Sequence, residues 1–545
     1  MLLKNVLYLL CFITLIGNTQ NESIYARAFN FFNVENAPGG VIAIGQGDSI
    51  IFKKAYGLAN LETGAKIDFE TIFNVGSVTK QFTCFAMMLL EQEGKINWED
   101  DVRKYIPELP FYGDTIRLKH CAQHTSGLRD CYGLLMLSDL EHDSLLTAEK
   151  ALNVILNQPS SSFPPGKHYD YNNSGFVLMA EVIKRVSGLD FPDFMKERVF
   201  KPLEMQSAFV KNSAKVESKN SATSYRNLEE NAKPSQIFES IYGACNIYMN
   251  LEDAIKWFQY QNNPSQQHNV IFAKMATQAR LNNGNYLDYG YGVDLTPYKG
   301  LSVIHHFGQA NGFRTIFARF PGSETYFIGM NNANTIDKME DAMYLITDSI
   351  FQLEAKQEWK FDTADYSIKE IDSTELKKFV GDFKLPWNKI VSTFIYKNRL
   401  YAFAPWGEDY PLYYLGNNEF ACEIGTVAFK FKEGKLKKIV IPHSIFKING
   451  RLLNPSKTKG VKSNELLGTY YCKDADAIFE VKIEDCKLVL QHKKYGSIPL
   501  TQFKTLSFHL NNLWINKLWF TKEKGRITSF KIPLSEYEKL TFLKQ

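Results

Sequence analysis

The 545-residue sequence lacks most of the features that mark specialised protein classes. Its formal net charge is only +4, from 63 basic against 59 acidic side chains, so it gives no basis for a nucleic-acid or anionic-membrane partner. Cysteine is sparse: eight in all, seven once the first residues are set aside, an odd number spread thinly over the chain. A disulfide scaffold is thereby excluded, although Cys121 with Cys131 and Cys472 with Cys486 are candidate pairs in an oxidising compartment. Cysteine and histidine spacings point to no metal, and nothing calls for a cofactor. His305 and His306 are adjacent, so in a strand they face opposite ways and do not easily share an ion. Long hydrophobic runs are missing too. The run from Val6 to Ile16 is too short to span a bilayer comfortably and has the proportions of a secretory leader over residues 1–19. Gly17 and Thr19 suit the small positions before a cut near Gln20, and an uncleaved anchor is the alternative. Without that leader no stable membrane insertion is expected, and the location is secreted or periplasmic.

What is present is the composition of a globular protein, 45% hydrophobic and 22% charged, long enough for two to four domains. "GGVIAIGQGDSIIFKKAYGLAN" at 39–60 reads as two strands about a turn at Gln46–Asp48. Helices are expected at 147–157, 174–187 and 251–261, and "LSVIHHFGQANGFRTIFARFPGSETYFIGMNNAN" reads as three antiparallel strands. Strands at both ends with helices between imply an α/β (α+β) unit on one mostly antiparallel sheet, over 22–355. After a polar stretch, two strand-rich segments resemble each other at an offset of about 90 residues. "ELKKFVGDF" answers "NELLGTYY", and "KEGKLKKIVI" answers "KEKGRITSFKI". They are expected to be duplicated small all-β, barrel-like domains at 373–453 and 464–545, divided by "NPSKTKGVKS".

The chemistry concentrates in "FNVGSVTKQFTCFAMMLLEQEGK", residues 73–95. In a helix Ser77 and Lys80 share one face, about 5–6 Å apart at Cβ. An amine acts as a base only when neutral, so the pKa of Lys80 is expected to fall from about 10.4 toward neutrality. The helix N-terminus and apolar surroundings both push that way, and a three-unit drop corresponds to about 4 kcal/mol. This is an activated-nucleophile arrangement.

Around it the chain closely resembles the penicillin-recognising serine hydrolases, the group of class C β-lactamases, D-aminopeptidases and β-lactamase-like esterases. "GSVTKQFT", "EGKINWEDDVRKYIPELP", "IRLKHCAQHTSGL", "FPPGKHYDYNNSGFVLMAEVIKRVSG" and "HFGQANGF" follow one another in the order of that family, across residues 39–350. The resemblance implies the β-lactamase/transpeptidase fold and an acyl-enzyme on Ser77. Lys80 and Tyr171 would handle its proton, in an order the sequence does not assign. It implies substrate binding at Asn173, His306 and Gly308, with an oxyanion hole from the backbone N–H groups of Ser77 and Gln309. Gly308 would leave room for substrate against its strand. Asn173 also reads as a pure helix cap, His306 as a structural strand histidine, and His124 as a turn histidine held by backbone hydrogen bonds. Many relatives carry lysine where His306 stands, so histidine predicts weak anion binding, and His306→Lys is expected to raise reactivity toward carboxylate-bearing substrates.

The catalytic domain with two β domains is similar to the D-aminopeptidase layout, in which a barrel loop restricts the cleft. The resulting expectation is a secreted serine hydrolase acting on a small-molecule or peptide substrate, first a peptide containing D-amino acids. The alternatives are a carboxylesterase, a β-lactamase, or a non-catalytic penicillin or muropeptide sensor. The β domains also read as binding modules with Trp387, Trp406, Trp514 and Trp519 as exposed candidates, or with those residues as barrel core. Sequence assigns no oligomeric state.

Overall fold

The computed structural model describes residues 24–545 except 140–145, 213–219, 227–231, 236–238, 334–335, 354–365, 385–389, 397–398, 404–408, 423–424, 443–446, 453–462, 505, 511–514, 516 and 536. The expected leader and Trp387, Trp406 and Trp514 lie outside the described residues. The first hairpin forms as read, β1 (Gly40–Gln46) and β2 (Ser49–Tyr56). The apolar stretch after it is α1 (Thr79–Gln92), buried continuously from Thr79 to Leu90. Helix α2 (Cys131–Leu137) starts where the Asp130 carboxylate accepts the Gly133 N–H. Helix α3 (Ala148–Leu156) is capped in the same way by Thr147. Helix α4 (Ser174–Ser187) stops at Gly188, whose φ of 76° suits glycine. Helix α5 (Leu251–Asn262) follows the Asn250 cap. The expected meander is β3 (Ile304–Ala310), β4 (Phe313–Phe320) and β5 (Thr325–Asn331).

The five strands make one antiparallel sheet in the order β3-β4-β5-β1-β2, which closes the two ends of the segment onto each other. Helix α1 is apolar all round because it is covered all round. The Phe82 ring packs, tilted, at 4.3 Å on Trp257 of α5, whose indole N–H donates to Gln81 at 2.8 Å. Each such aromatic contributes about 1.5–3 kcal/mol on burial, enough to hold the N-terminus of α1 in one place.

The C-terminal part separates into two sheets. Eight strands between Gly381 and Leu452 form a closed barrel. Nine strands between Gly468 and Lys544 form a second sheet that stays open, with end strands Gly496–Pro499 and Thr501–Lys504. Contacts group residues 462–545 with the segment up to Leu353, while residues 354–461 form a unit of their own. The candidate disulfides do not form. Cys121 and Cys131 are separately buried thiols, and Cys472 is buried while Cys486 is exposed. Among the described residues no helix is long and apolar enough to cross a membrane.

Candidate active site

Ser77 sits in a 3-10 turn, Gly76–Val78, that leads directly into α1. Two glycines let the turn meet the sheet. A Cβ on Gly308 would lie 2.0 Å from the Val75 carbonyl oxygen, and one on Gly76, at φ 53°, would lie 2.5 Å from the Gln309 nitrogen. The backbone of β3 therefore lies against the turn, with Gln309 N beside Ser77. The room at Gly308 that the sequence assigned to substrate is filled by Val75.

Lys80 is fully buried. Its Nζ donates to Ser77 Oγ at 3.1 Å, Asn173 Oδ1 at 2.9 Å and the Ala244 carbonyl at 3.0 Å. Three acceptors for three protons leave nothing unmet. The Ala244 carbonyl is held there because Thr79 and Thr83 of α1 bind the flanking backbone at Ile247 and Gly243. Tyr171 brings its phenol to both Ser77 and Lys80, with the ammonium 4.8 Å from the ring centre. Although the residue is 40% exposed, its hydroxyl lies in the crowded floor of the site.

The expected fall in the Lys80 pKa is reversed. Burial does push it down, but Tyr171, Cys245 and Asp130 push it up further, and the net direction is upward. The Tyr171 phenol is raised as well, by burial, against the pull of Lys80. The resting pair thus holds its protons tightly.

Asn173 occupies the N-cap position of α4 without capping it. Its Oδ1 serves Lys80, while its Nδ2 donates to Asp130 Oδ1 at 3.0 Å. Asp130 also accepts the Asn173 backbone N–H at 2.8 Å. Charge-assisted bonds of this kind are worth about 1.5–3 kcal/mol, so Asp130 sets which end of the amide meets Lys80.

His306 is buried at 5% exposure, with both ring nitrogens satisfied inside the protein. Nε2 meets the Tyr289 hydroxyl at 3.0 Å and Nδ1 the Phe307 carbonyl at 2.7 Å. Burial first, then the Lys80 charge, pushes its pKa down to about 3, so the ring stays neutral. His305 faces the other way and pairs with Asp294 at 3.2 Å. His124 accepts the Asn172 backbone N–H at 2.9 Å.

The structure adds residues that the sequence did not single out. Asp130 is one. Cys245 is another, with Sγ 4.0 Å from Ser77 Oγ. A pocket beside Tyr171 is lined by Asp130, Asp170, Asn172, Asn173 and, from the second β sheet, Leu534, Ser535 and Glu538. Glu538 is buried and joins Arg129 at 2.6 Å and the Ser162 hydroxyl at 2.7 Å. Burial raises its pKa to about 7 despite Arg129. Burial raises Asp170 too. Local sequence shows Asp130 only as a helix cap and does not mark Glu538, because their partners Asn173 and Arg129 are distant in the chain. Among the described residues no cluster is suited to hold a metal.

The arrangement has counterparts. The profile of the Beta-lactamase family matches residues 30–348. The chain is 26% identical over 380 residues to penicillin-binding protein 4* of Bacillus subtilis, covering 66% of this chain and 83% of the relative. It is 26% identical over 280 residues to a D-aminopeptidase of Brucella anthropi, covering 51% of this chain and 52% of the relative, about half the length of each. In fold it is similar to an octameric penicillin-binding protein homologue from Pyrococcus abyssi, with a TM-score of 0.57 at 19% identity over 79% of this chain and 99% of that one. A D-amino acid amidase from Ochrobactrum anthropi gives a TM-score of 0.52 at 17% identity, over 60% of this chain and 99% of that one. With that profile spanning more than half of its length, the chain belongs to the Beta-lactamase family and is a serine hydrolase of the β-lactamase/D-aminopeptidase type.

Proposed function

We propose that the protein is an exported hydrolase that opens the amide of a short peptide with a D-amino acid at a free amino terminus, through an acyl-enzyme on Ser77. The observation that carries this reading is the acidic wall beside Tyr171, where Asp130, Asp170 and Glu538 line one pocket. An ammonium group suits that wall, whereas the carboxylate of a β-lactam meets no cation at the neutral His306. Relatives named D-aminopeptidase support the same substrate class. The apolar run at residues 6–16 supports export, which N-terminal sequencing of the mature protein tests.

Ser77 Oγ attacks the carbonyl as its proton passes to the Lys80–Tyr171 pair. The oxyanion forms against the N–H groups of Ser77 and Gln309. Tyr171 returns the proton to the leaving amine, and water repeats the cycle on the ester. Asn173, oriented by Asp130, holds Lys80 through both steps.

The experiment is turnover of a D-alanyl p-nitroanilide, p-nitrophenyl acetate and nitrocefin by the wild type and Ser77→Ala. Turnover of the anilide that disappears in S77A is the expected result. The acetate alone turned over selects an esterase, nitrocefin preferred selects a β-lactamase, and a lasting mass increase without turnover selects a sensor. Because Lys80 and Tyr171 are both shifted upward, the basic form of the pair gains population as pH rises. With the uncharged acetate ester, kcat/KM therefore rises from pH 7 to pH 9, and a flat or falling profile contradicts the pair as base.

A further inference from the structure

Behind the site runs a chain of hydrogen bonds whose protons are placed by the main chain. The Asn172 backbone N–H points at His124 Nδ1, at 2.9 Å, so that nitrogen is the acceptor and Nε2 carries the hydrogen. His124 Nε2 is 3.1 Å from the Tyr289 hydroxyl and donates to it. At the other end the Phe307 carbonyl lies 2.7 Å from His306 Nδ1, so Nδ1 carries the hydrogen and Nε2 accepts. The Tyr289 hydroxyl, 3.0 Å away, supplies that hydrogen. Two histidines in opposite tautomers and one phenol thus form an uncharged line with a single direction. His124, Tyr289 and His306 are 1%, 3% and 5% exposed.

Each end of the line touches a different part of the site. The His124 ring lies 4.2 Å from the Tyr171 ring and backs it. His306 belongs to the strand that carries Gln309. His124 is moreover held at φ 55°, a conformation uncommon for a residue with a side chain and kept where the surroundings insist on it.

We propose that Tyr289 is a positioning residue of the hydrolytic site, an uncharged strut that sets the Tyr171 phenol and the Gln309 N–H at a constant separation across the Ser77 oxygen. This rests on Ser77 being the nucleophile. Removing the hydroxyl leaves the His124 Nε2–H and His306 Nε2 facing each other across a gap, both buried and unpaired. The two rings then settle separately, and phenol and oxyanion donor lose their common reference.

The test is Tyr289→Phe, alone and with His306→Gln, assayed on the anilide or ester that the wild type turns over. The expected kcat is about 30-fold lower with KM within about 2-fold, the mark of a misplacement felt in the transition state. The double variant is expected within about 3-fold of the weaker single one, because the strut acts as a unit. A Y289F kcat within about 3-fold of wild type overturns the proposal, as do losses that multiply. Should Y289F not fold, nitrogen-15 histidine NMR of the wild type decides. Two neutral rings in opposite tautomers, assigned to His124 and His306 and unchanged from pH 5 to pH 8, are expected, and like tautomers or a titrating ring overturn it. A wild type with neither turnover nor fluorophosphonate labelling of Ser77 sinks the hydrolase reading instead, so the two failures are told apart.

Discussion

The two C-terminal β regions are built on one plan and used differently. Each opens with a one-turn helix, Ser373–Leu376 and Ser463–Leu466, whose last leucine is buried. Each has the same long hairpin, 425–442 and 517–533, with a register break at equivalent positions, Lys430/Phe431 and Thr521/Lys522. Each fills its interior with rings, around Phe379 in the first and Tyr470, Phe520 and Phe530 in the second. The difference lies on the outside. The first closes its barrel and forms a unit of its own, and its ion pair Lys378–Glu375 is about half exposed on both sides. The second stays open and spends polar residues on the hydrolase. Arg129 is held between Asp474 and Glu538, both at 2.6 Å, His492 meets Asp139 at 3.1 Å, and Tyr537 stacks on His168 at 4.5 Å. Where the first copy reads "IPHSIFKI", the second reads "IPLSEYEKLTF", and residues of that longer turn line the pocket. The two copies thus share the plan of their interior and differ in the loop that, in the second, lines the pocket.

The contrast is broken most directly at Arg129. Arg129→Met removes the cation between two carboxylates, one of them buried, and is expected to cost about 3–5 kcal/mol in the calorimetric transition of the hydrolase unit at pH 8, above the Glu538 pKa of about 7. A loss below about 1 kcal/mol would make the second sheet as independent as the first. Next comes pH. Glu538, raised from 4.5 to about 7, binds its proton more tightly folded than unfolded. Its contribution is therefore complete below about pH 4.5 and is lost as pH rises through 7, up to about 3 kcal/mol in all. Unfolding of the wild type at pH 5 to 8 should show that decline, and Glu538→Gln should flatten it. An unchanged slope removes Glu538 as its source. The smallest effect belongs to the first copy. Lys378→Met should change stability by less than about 0.5 kcal/mol, as an exposed pair does, and a larger loss would mean its outer face is engaged too.

Much of this was legible in the chain. The hairpin at 39–60, the three later strands, the helices and the duplication were readable because each is local and periodic. The grouping of Ser77, Lys80, Tyr171 and Asn173 was readable because short ordered motifs carry them. What could not be read is how donors and acceptors pair across the fold. Residue type alone does not say that both nitrogens of His306 are consumed, nor that Asn173 serves Lys80 in place of its helix. The sign of the Lys80 shift failed for the same reason, since burial and helix position are local while Tyr171, Cys245 and Asp130 arrive from far along the chain. Tyr289 lies in a stretch without a repeating pattern, and the expectation that a loop of a β domain reaches the cleft named no residue, so Glu538 was not legible.

Arg129 and Asp130 are consecutive. One pairs with the second β sheet, and the other orients the amide that binds Lys80. A single peptide bond therefore links the docking of this sheet to the hydrogen bonds around Lys80, so a shift of the sheet at Arg129 is passed on to Asp130 and Asn173.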